Sequence, residues 1–265
     1  FLAFWLTGCV SEKPTEKKWV KIDSEVEKHL YGVYFATDSE GWTVSNDGTI
    51  FYTKDGGVTW TEQNNKTGKV GLLNKVYFVT PEHGWAVGVA GNIIHTLNGG
   101  NSWTRQDSGV TDGLLDLCFV DNLEGWIVGG HSRILHTENG GKEWQTQKNP
   151  GIGHLWSVYF VDSDNGWAVG ENGQIMNTRD GGVNWRMQRS PTEKTLTAVH
   201  FVDENLGWIA GVEGTILHTK DSGRNWNEQK IDTFKALRGV FFWSEMIGWA
   251  VGESGTILQT DDGGN

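Results

Sequence analysis

An all-β chain built from one repeated unit is what this sequence predicts, and three observations carry that expectation. Gly-Trp pairs begin at Gly41, Gly84, Gly125, Gly166, Gly207 and Gly248, at steps of 43, 41, 41, 41 and 41 residues. A second motif keeps the same period. Thr53, Thr96, Thr137, Thr178, Thr219 and Thr260 each open a Thr-x-Asp/Asn-x-Gly turn, and the first five of these run on to Trp60, Trp103, Trp144, Trp185 and Trp226. Third, short apolar runs are separated by Gly-rich turns at a spacing of roughly 8 to 12 residues, with almost no helical periodicity. A fixed period of this length means that one supersecondary unit was copied and that its copies bury their apolar faces against one another.

Each copy reads as four short strands. In the copy around residue 170, the first is Leu155 to Val161 and the second is the Gly-Trp strand, Gly166 to Gly170. After the turn Glu171-Asn172-Gly173 a third strand runs from Gln174 to Thr178. The Thr178-Arg179-Asp180-Gly181-Gly182 turn leads to a fourth that starts at Trp185 and ends at Gln188. The aspartate of that turn can accept backbone N–H groups, and glycine supplies positive φ without a side-chain clash. Asn98 and Asn139 replace it in two copies, which suits a hydrogen-bonding role and not acid-base chemistry. Four strands per unit at a period near 41 residues indicate a β-propeller of four-stranded blades, six of them in this chain. Twelve of the fifteen tryptophans fall on repeat positions, so their abundance is architectural and does not mark a carbohydrate platform.

The ends of the repeat bear on closure. Trp19 stands 41 residues before Trp60, so Trp19 to Ile22 reads as a fourth strand that should complete the C-terminal blade and remove a sheet edge. The last Thr-x-Asp-x-Gly turn stops short of its tryptophan, which points to a seven-bladed parent, with a six-bladed ring as the alternative. Before the repeats, Phe1 to Leu6 is an uncharged apolar run followed by Leu6-Thr7-Gly8-Cys9. That run is too short to span a bilayer and belongs to targeting. The organisation expected is therefore a signal-peptide remnant over 1–8, a tether over 9–18 and the propeller over 19–265.

The balance of 33 acidic against 22 basic residues gives a net charge of -11, which argues against nucleic acid as a partner. Two cysteines, Cys9 before the repeats and Cys118 within them, give no disulfide framework.

Two resemblances follow from these motifs. Ser/Thr-x-Asp-x-Gly-x-x-Trp, met by Thr53 to Trp60 and Thr178 to Trp185, resembles the Asp-box of sialidase-like (BNR) repeat proteins. Together with the Gly-Trp-x-Val-Gly strands and the regular period, residues 19–265 look most like the photosystem II stability/assembly factor family and its non-photosynthetic bacterial lipoprotein relatives. Leu6-Thr7-Gly8-Cys9 resembles a lipobox, which implies lipidation of Cys9. The family resemblance implies a seven-bladed, non-enzymatic propeller that needs no cofactor and holds partner proteins on the outer side of a membrane. Members tied to photosystem assembly carry a basic arginine patch, whereas the seven arginines here are scattered among acidic residues.

Residues that break the repeat are the candidates for function. The start of the first strand varies from copy to copy: Tyr31, Asn74, Leu115, Trp156, Thr197 and Arg238, joined by Lys75 and Asp116 and by His131 and Arg133 from an irregular turn. Strand order puts these on one face, the upper one, where exposed aromatic and arginine side chains suit binding hot spots. Tyr31, Asn74, Lys75, Asp116, His131, Arg133, Trp156 and Arg238 are the partner-binding candidates; no catalytic or metal-ligating residue is expected. The lower face collects acidic turns, among them Asp38, Glu82, Asp121, Asp162, Asp203 and Glu245. His95, His136 and His218 share one third-strand position and read as packing residues, because equivalent positions of different blades cannot converge on a metal. Tyr34, Tyr77, Cys118, Tyr159, His200 and Phe241 share a first-strand position and read as variable core between blades. The function expected is a lipid-anchored scaffold of the bacterial cell envelope, facing the periplasm or exterior, that binds a membrane or envelope protein. The alternative is a secreted Asp-box glycan hydrolase or lectin, for which two carboxylates across a cleft would be needed.

Overall fold

The computed structural model describes residues 24, 26–63 and 70–264. Cys9, the stretch over 1–18 and the strand expected over 19–22 lie outside the described residues. Six antiparallel sheets follow one another in chain order, each built as a meander, so the chain is a β-propeller. The innermost strands are Leu30–Phe35, Leu73–Phe78, Leu114–Phe119, Leu155–Phe160, Leu196–Phe201 and Leu237–Phe242. Five sheets have four strands. Among the described residues the sixth has three, Leu237–Phe242, Gly248–Gly252 and Ile257–Thr260. Each innermost strand packs against the next, from the first blade to the sixth.

One interface design recurs between neighbouring blades. The indole of a Gly-Trp strand stacks on the phenylalanine that ends the next blade's innermost strand: Trp42 on Phe78 at 3.6 Å, Trp85 on Phe119 at 3.8 Å, Trp126 on Phe160 at 3.5 Å, Trp167 on Phe201 at 3.6 Å and Trp208 on Phe242 at 3.6 Å. The same phenylalanine meets the Asp-box tryptophan of its own blade edge-on, as Phe160 meets Trp185 at 5.8 Å. A buried indole removes about 150–250 Å² from water. At about 25 cal/mol per Å² that is on the order of 4–6 kcal/mol for each. The glycine of the Gly-Trp pair exists for the phenylalanine, since a Cβ on Gly166 would lie 2.4 Å from the Phe160 ring.

The Asp-box works as a local clasp and as a docking point. In the fourth blade Thr178 Oγ1 accepts from Gly182 N at 2.8 Å and donates to Asp180 Oδ1 at 2.8 Å, and Asp180 Oδ1 accepts from Asn184 N at 2.8 Å. These bonds to its ionised form, led by those from Asn184, hold the Asp180 carboxyl below its ordinary range. A glutamine absent from our sequence reading ties the box to the preceding blade. Gln147 Nε2 donates to Gly181 O at 2.7 Å, and its Oε1 accepts from Trp185 Nε1 at 3.0 Å. Gln63, Gln106, Gln188 and Gln229 repeat the first of these bonds. Gly182, at φ +88, must be glycine twice over, because a Cβ there would also sit 2.0 Å from Gln147 Oε1.

The third-strand histidines pack as expected. His95, His136 and His218 stack on Trp85, Trp126 and Trp208 at 4.6, 4.8 and 4.6 Å. Burial pushes His95 and His218 down to about 4.

Candidate partner-binding site

The pairing of first and second strands slips by one residue near the top of every blade, for example between Leu73 and Lys75, between Leu155 and Ser157 and between Leu237 and Gly239. Such a bulge re-aims a side chain. The bulged residues are Tyr31, Asn74, Trp156, Thr197 and Arg238, so the positions that vary most in sequence are those the backbone turns out of the ladder. Leu115 occupies the same place in the third blade, where the slip lies between Val128 and Gly129.

These residues open a central cavity of about 630 Å³ bounded by all six innermost strands. Tyr31, Asn74, Lys75, Asp116, Trp156 and Arg238 line it together. His131 and Arg133 do not. They sit on the adjoining rim turn, Gly130–Ser132 and its flank, where both bind Asp112: His131 Nδ1 at 2.8 Å and Arg133 Nε at 2.9 Å. The Arg133 bond, ahead of the other contacts, holds the Asp112 carboxyl below its ordinary range. His154 links this turn to the cavity, its ring 6.2 Å from that of His131 and stacked 6.0 Å from Trp156, with Glu171 at 3.3 Å from its Nδ1.

Below the mouth a polar belt crosses from blade to blade. Asp116 is buried; its Oδ2 accepts from Ser157 Oγ at 2.8 Å and Val158 N at 3.1 Å, and Lys75 Nζ stands 3.3 Å from Oδ1. Ser157 Oγ accepts from Val199 N at 3.3 Å. Asn74 Nδ2 donates to Leu114 O at 2.7 Å, and Thr197 Oγ1 to Leu237 O at 2.6 Å. The belt leaves Asp116 as the one carboxylate among the lining residues: its Oδ2 takes two hydrogen bonds, while its buried Oδ1 takes none and has only the Lys75 ion pair.

The third tier is aromatic. Tyr34 and Tyr77 approach to 4.7 Å, Tyr159 and His200 to 4.8 Å, and His200 and Phe241 to 4.9 Å. The expectation that this position packs between blades holds, since Tyr77 Oη donates to Phe119 O of the next blade at 3.0 Å and Cys118 Sγ lies 3.9 Å from Phe160 O. The same side chains also form the cavity wall, which the sequence reading missed; the signal available was their two-residue spacing from Lys75, Asp116 and Ser157 on an alternating strand. Burial keeps the whole tier neutral: Tyr159 and Cys118 are pushed up to about 12, and His200 down to about 4.

Among the described residues no group of His, Cys, Asp and Glu is placed to hold a metal ion, and no helix is long and apolar enough to cross a membrane. Of the solved structures, one described as YCF48 bound to D1 peptide is 22% identical at a TM-score of 0.73, over 93% of this chain and 81% of that one. YCF48 from Cyanidioschyzon merolae is 17% identical at a TM-score of 0.59, over 92% and 98%. A crystal structure of AFV00434, an ancestral GH74 enzyme, is 13% identical at a TM-score of 0.74, over 90% of this chain and 37% of that one. At these identities the likeness shows the fold alone. No curated protein matches the sequence. A family model does, over residues 11–108 and 150–234, which is more than half of the chain, and by that match the protein belongs to the family described as photosynthesis system II assembly factor YCF48.

Proposed function

We propose that this protein is a non-catalytic scaffold that binds a protein partner at the upper mouth of its central cavity. One observation carries the reading: six side chains that depart from the repeat converge on one mouth, on bulges that present them, above a wall that holds a single carboxylate, tied to the next blade through one of its oxygens. A retaining or inverting glycosidase needs two carboxylates facing one substrate. The cavity lining offers no such pair. The YCF48 structure described as bound to a D1 peptide lends the scaffold reading weight through the shared family.

The cellular setting belongs to the same proposal. Lipidation at Cys9 would tether the propeller to a membrane of the bacterial envelope, facing the periplasm or exterior. Fourth strands start on the lower face, so a tether over 9–18 would leave from there, and about ten residues reach at most roughly 35 Å. The upper mouth would then face away from the lipid. Affinity capture from membranes with mass spectrometry tests the reading. The pair Trp156→Ala and Arg238→Glu should lose the captured partner, whereas charge reversal at Asp162 and Asp164 on the lower face should not. Retention by the first variant and loss by the second would place the binding face on the wrong side. Equal fatty-acid labelling of wild type and Cys9→Ala would remove the anchor.

A further inference from the structure

We infer that the segment received by the cavity is an extended acidic stretch of polypeptide carrying one aromatic side chain, its ring seated in the lower tier and its carboxylates at the mouth. This rests on the scaffold reading and names the chemistry of the partner. Three features of the wall support it.

The first is size. Binding pockets for small groups span about 300–1,000 Å³. At about 630 Å³ the cavity holds a side chain with its flanking peptide, but not a folded surface. A partner must therefore send in an extended segment. The second is the lower tier, where Tyr34, Tyr77, Tyr159, His200 and Phe241 present ring faces and edges without a formal charge. An incoming ring finds offset and edge-on partners there, the geometries aromatic pairs prefer. A charged side chain would be desolvated with nothing to pair it.

The third is the balance of donors and acceptors at the mouth. The lining carries Lys75 and Arg238 against one carboxylate, Asp116, whose Oδ2 accepts from Ser157 and Val158 and whose Oδ1, without a hydrogen bond, is faced by Lys75 at 3.3 Å. Arg238 also meets Glu253, but that pair is half exposed and a competing carboxylate can share the guanidinium. The mouth is thus rich in donors on a chain whose net charge is -11. An acidic segment is repelled by the lower face and has one place to go. The Trp156 Nε1 is buried without an acceptor, so the indole can turn over a seated segment without breaking a hydrogen bond of its own.

The test uses the full chain and a fluorescein-labelled, C-amidated heptapeptide, Gly-Ser-Asp-Phe-Asp-Ser-Gly. Its controls replace the Phe by Ala or both Asp by Lys. Fluorescence anisotropy should show each control binding at least about tenfold more weakly, and Arg238→Gln should weaken the acidic peptide while leaving the melting temperature in place. Raising the salt should cut the affinity of the acidic peptide. Equal binding of all three peptides overturns the inference. So does failure of the acidic peptide to bind at millimolar concentration while membrane capture still depends on Trp156 and Arg238, a result that leaves the scaffold reading standing. Loss of dependence on the mouth in both assays overturns the two together.

Discussion

Phe160 and Phe35 occupy the same position of the repeat, and so do Trp126 and Trp249, yet their surroundings differ. Phe160 is 4% exposed beneath Trp126, whereas Phe35 is 41% exposed and its ring contact among the described residues is with Trp60 of its own blade. Val158 is 3% exposed and its equivalent Val33 57%. Trp249 has no ring stacked on it among the described residues, although each of the five preceding Gly-Trp indoles has one. Among the described residues the outer faces of the first and sixth blades are therefore half-interfaces. A repeat supplies each blade with one side of a contact, and burial comes only from the neighbour that supplies the other.

The widest separation should come from truncating the indole. Trp126→Ala removes a fully buried ring from between two blades and should cost about 3–5 kcal/mol. Trp249→Ala should cost about 1 kcal/mol or less, since its ring is only partly covered. Denaturant melts of both variants decide the matter. Equal losses would break the comparison and mean that the outer face of the sixth blade is covered by a blade-like partner that stacks on Trp249.

Acid offers a second contrast. His95 and His218 lie against interior indoles with pKa values pushed down to about 4 by burial, while the sixth blade carries Gln259 at that position. An unfolded histidine takes up its proton near about 6.5. Between about 6.5 and 4 the unfolded chain therefore binds more protons, so stability is complete above that window and is lost as the pH falls through it. Each histidine should contribute on the order of 3 kcal/mol across the window. Melting temperatures of His218→Gln against wild type from pH 7 to 4 should show the variant losing less. Parallel curves would mean that the ring is protonated in place.

Most of this architecture was legible because it is written in residue identity at fixed spacing. The period, the strand order, the packing of the third-strand histidines and the convergence of six mouth residues all follow from pattern. The inter-blade glutamine was not legible, because Gln147 and its equivalents look like any polar end of a short outer strand until Gly181 is brought beside it. Nor was the second role of Tyr159 and His200, since alternation gives the face of a strand but not how far the blades splay at the axis. His131 and Arg133 stand on the rim, as their irregular turn led us to expect, and what pattern did not reveal is that both are held there by Asp112 and do not line the cavity.

The Asp-box threonine sharpens the comparison further. Thr178 Oγ1 is the sole side-chain acceptor of the buried Gly182 N–H, and Thr178→Val keeps the shape while leaving that donor unpaired. About 1–2 kcal/mol should be lost. Thr260 makes the same bonds to Gly264 N and Asp262, but in a box only partly covered, where water can replace the hydroxyl. Thr260→Val should cost about half as much or less. Equal costs would show that the last box is as well enclosed as the interior ones.

Ion pairs give the smallest effect and the finest test. Lys75 and Asp116 join the second and third blades, with the carboxylate 8% exposed, whereas Arg238 and Glu253 face each other within the sixth blade at 53% and 49%. Removing a partner from a buried charge leaves it uncompensated. Asp116 keeps two hydrogen bonds on its other oxygen, and Lys75 is itself 40% exposed, so Lys75→Met should cost only about 1 kcal/mol and respond little to salt. An exposed pair contributes little and is screened. Arg238→Gln should therefore change stability by less than about 0.5 kcal/mol. Melts of both variants at low and high salt distinguish the cases. If Arg238→Gln proved the more costly of the two, and stayed so in high salt, the rim of the sixth blade would have to be enclosed, and the difference between interior and edge blades drawn from Phe35 and Trp249 would fail with it.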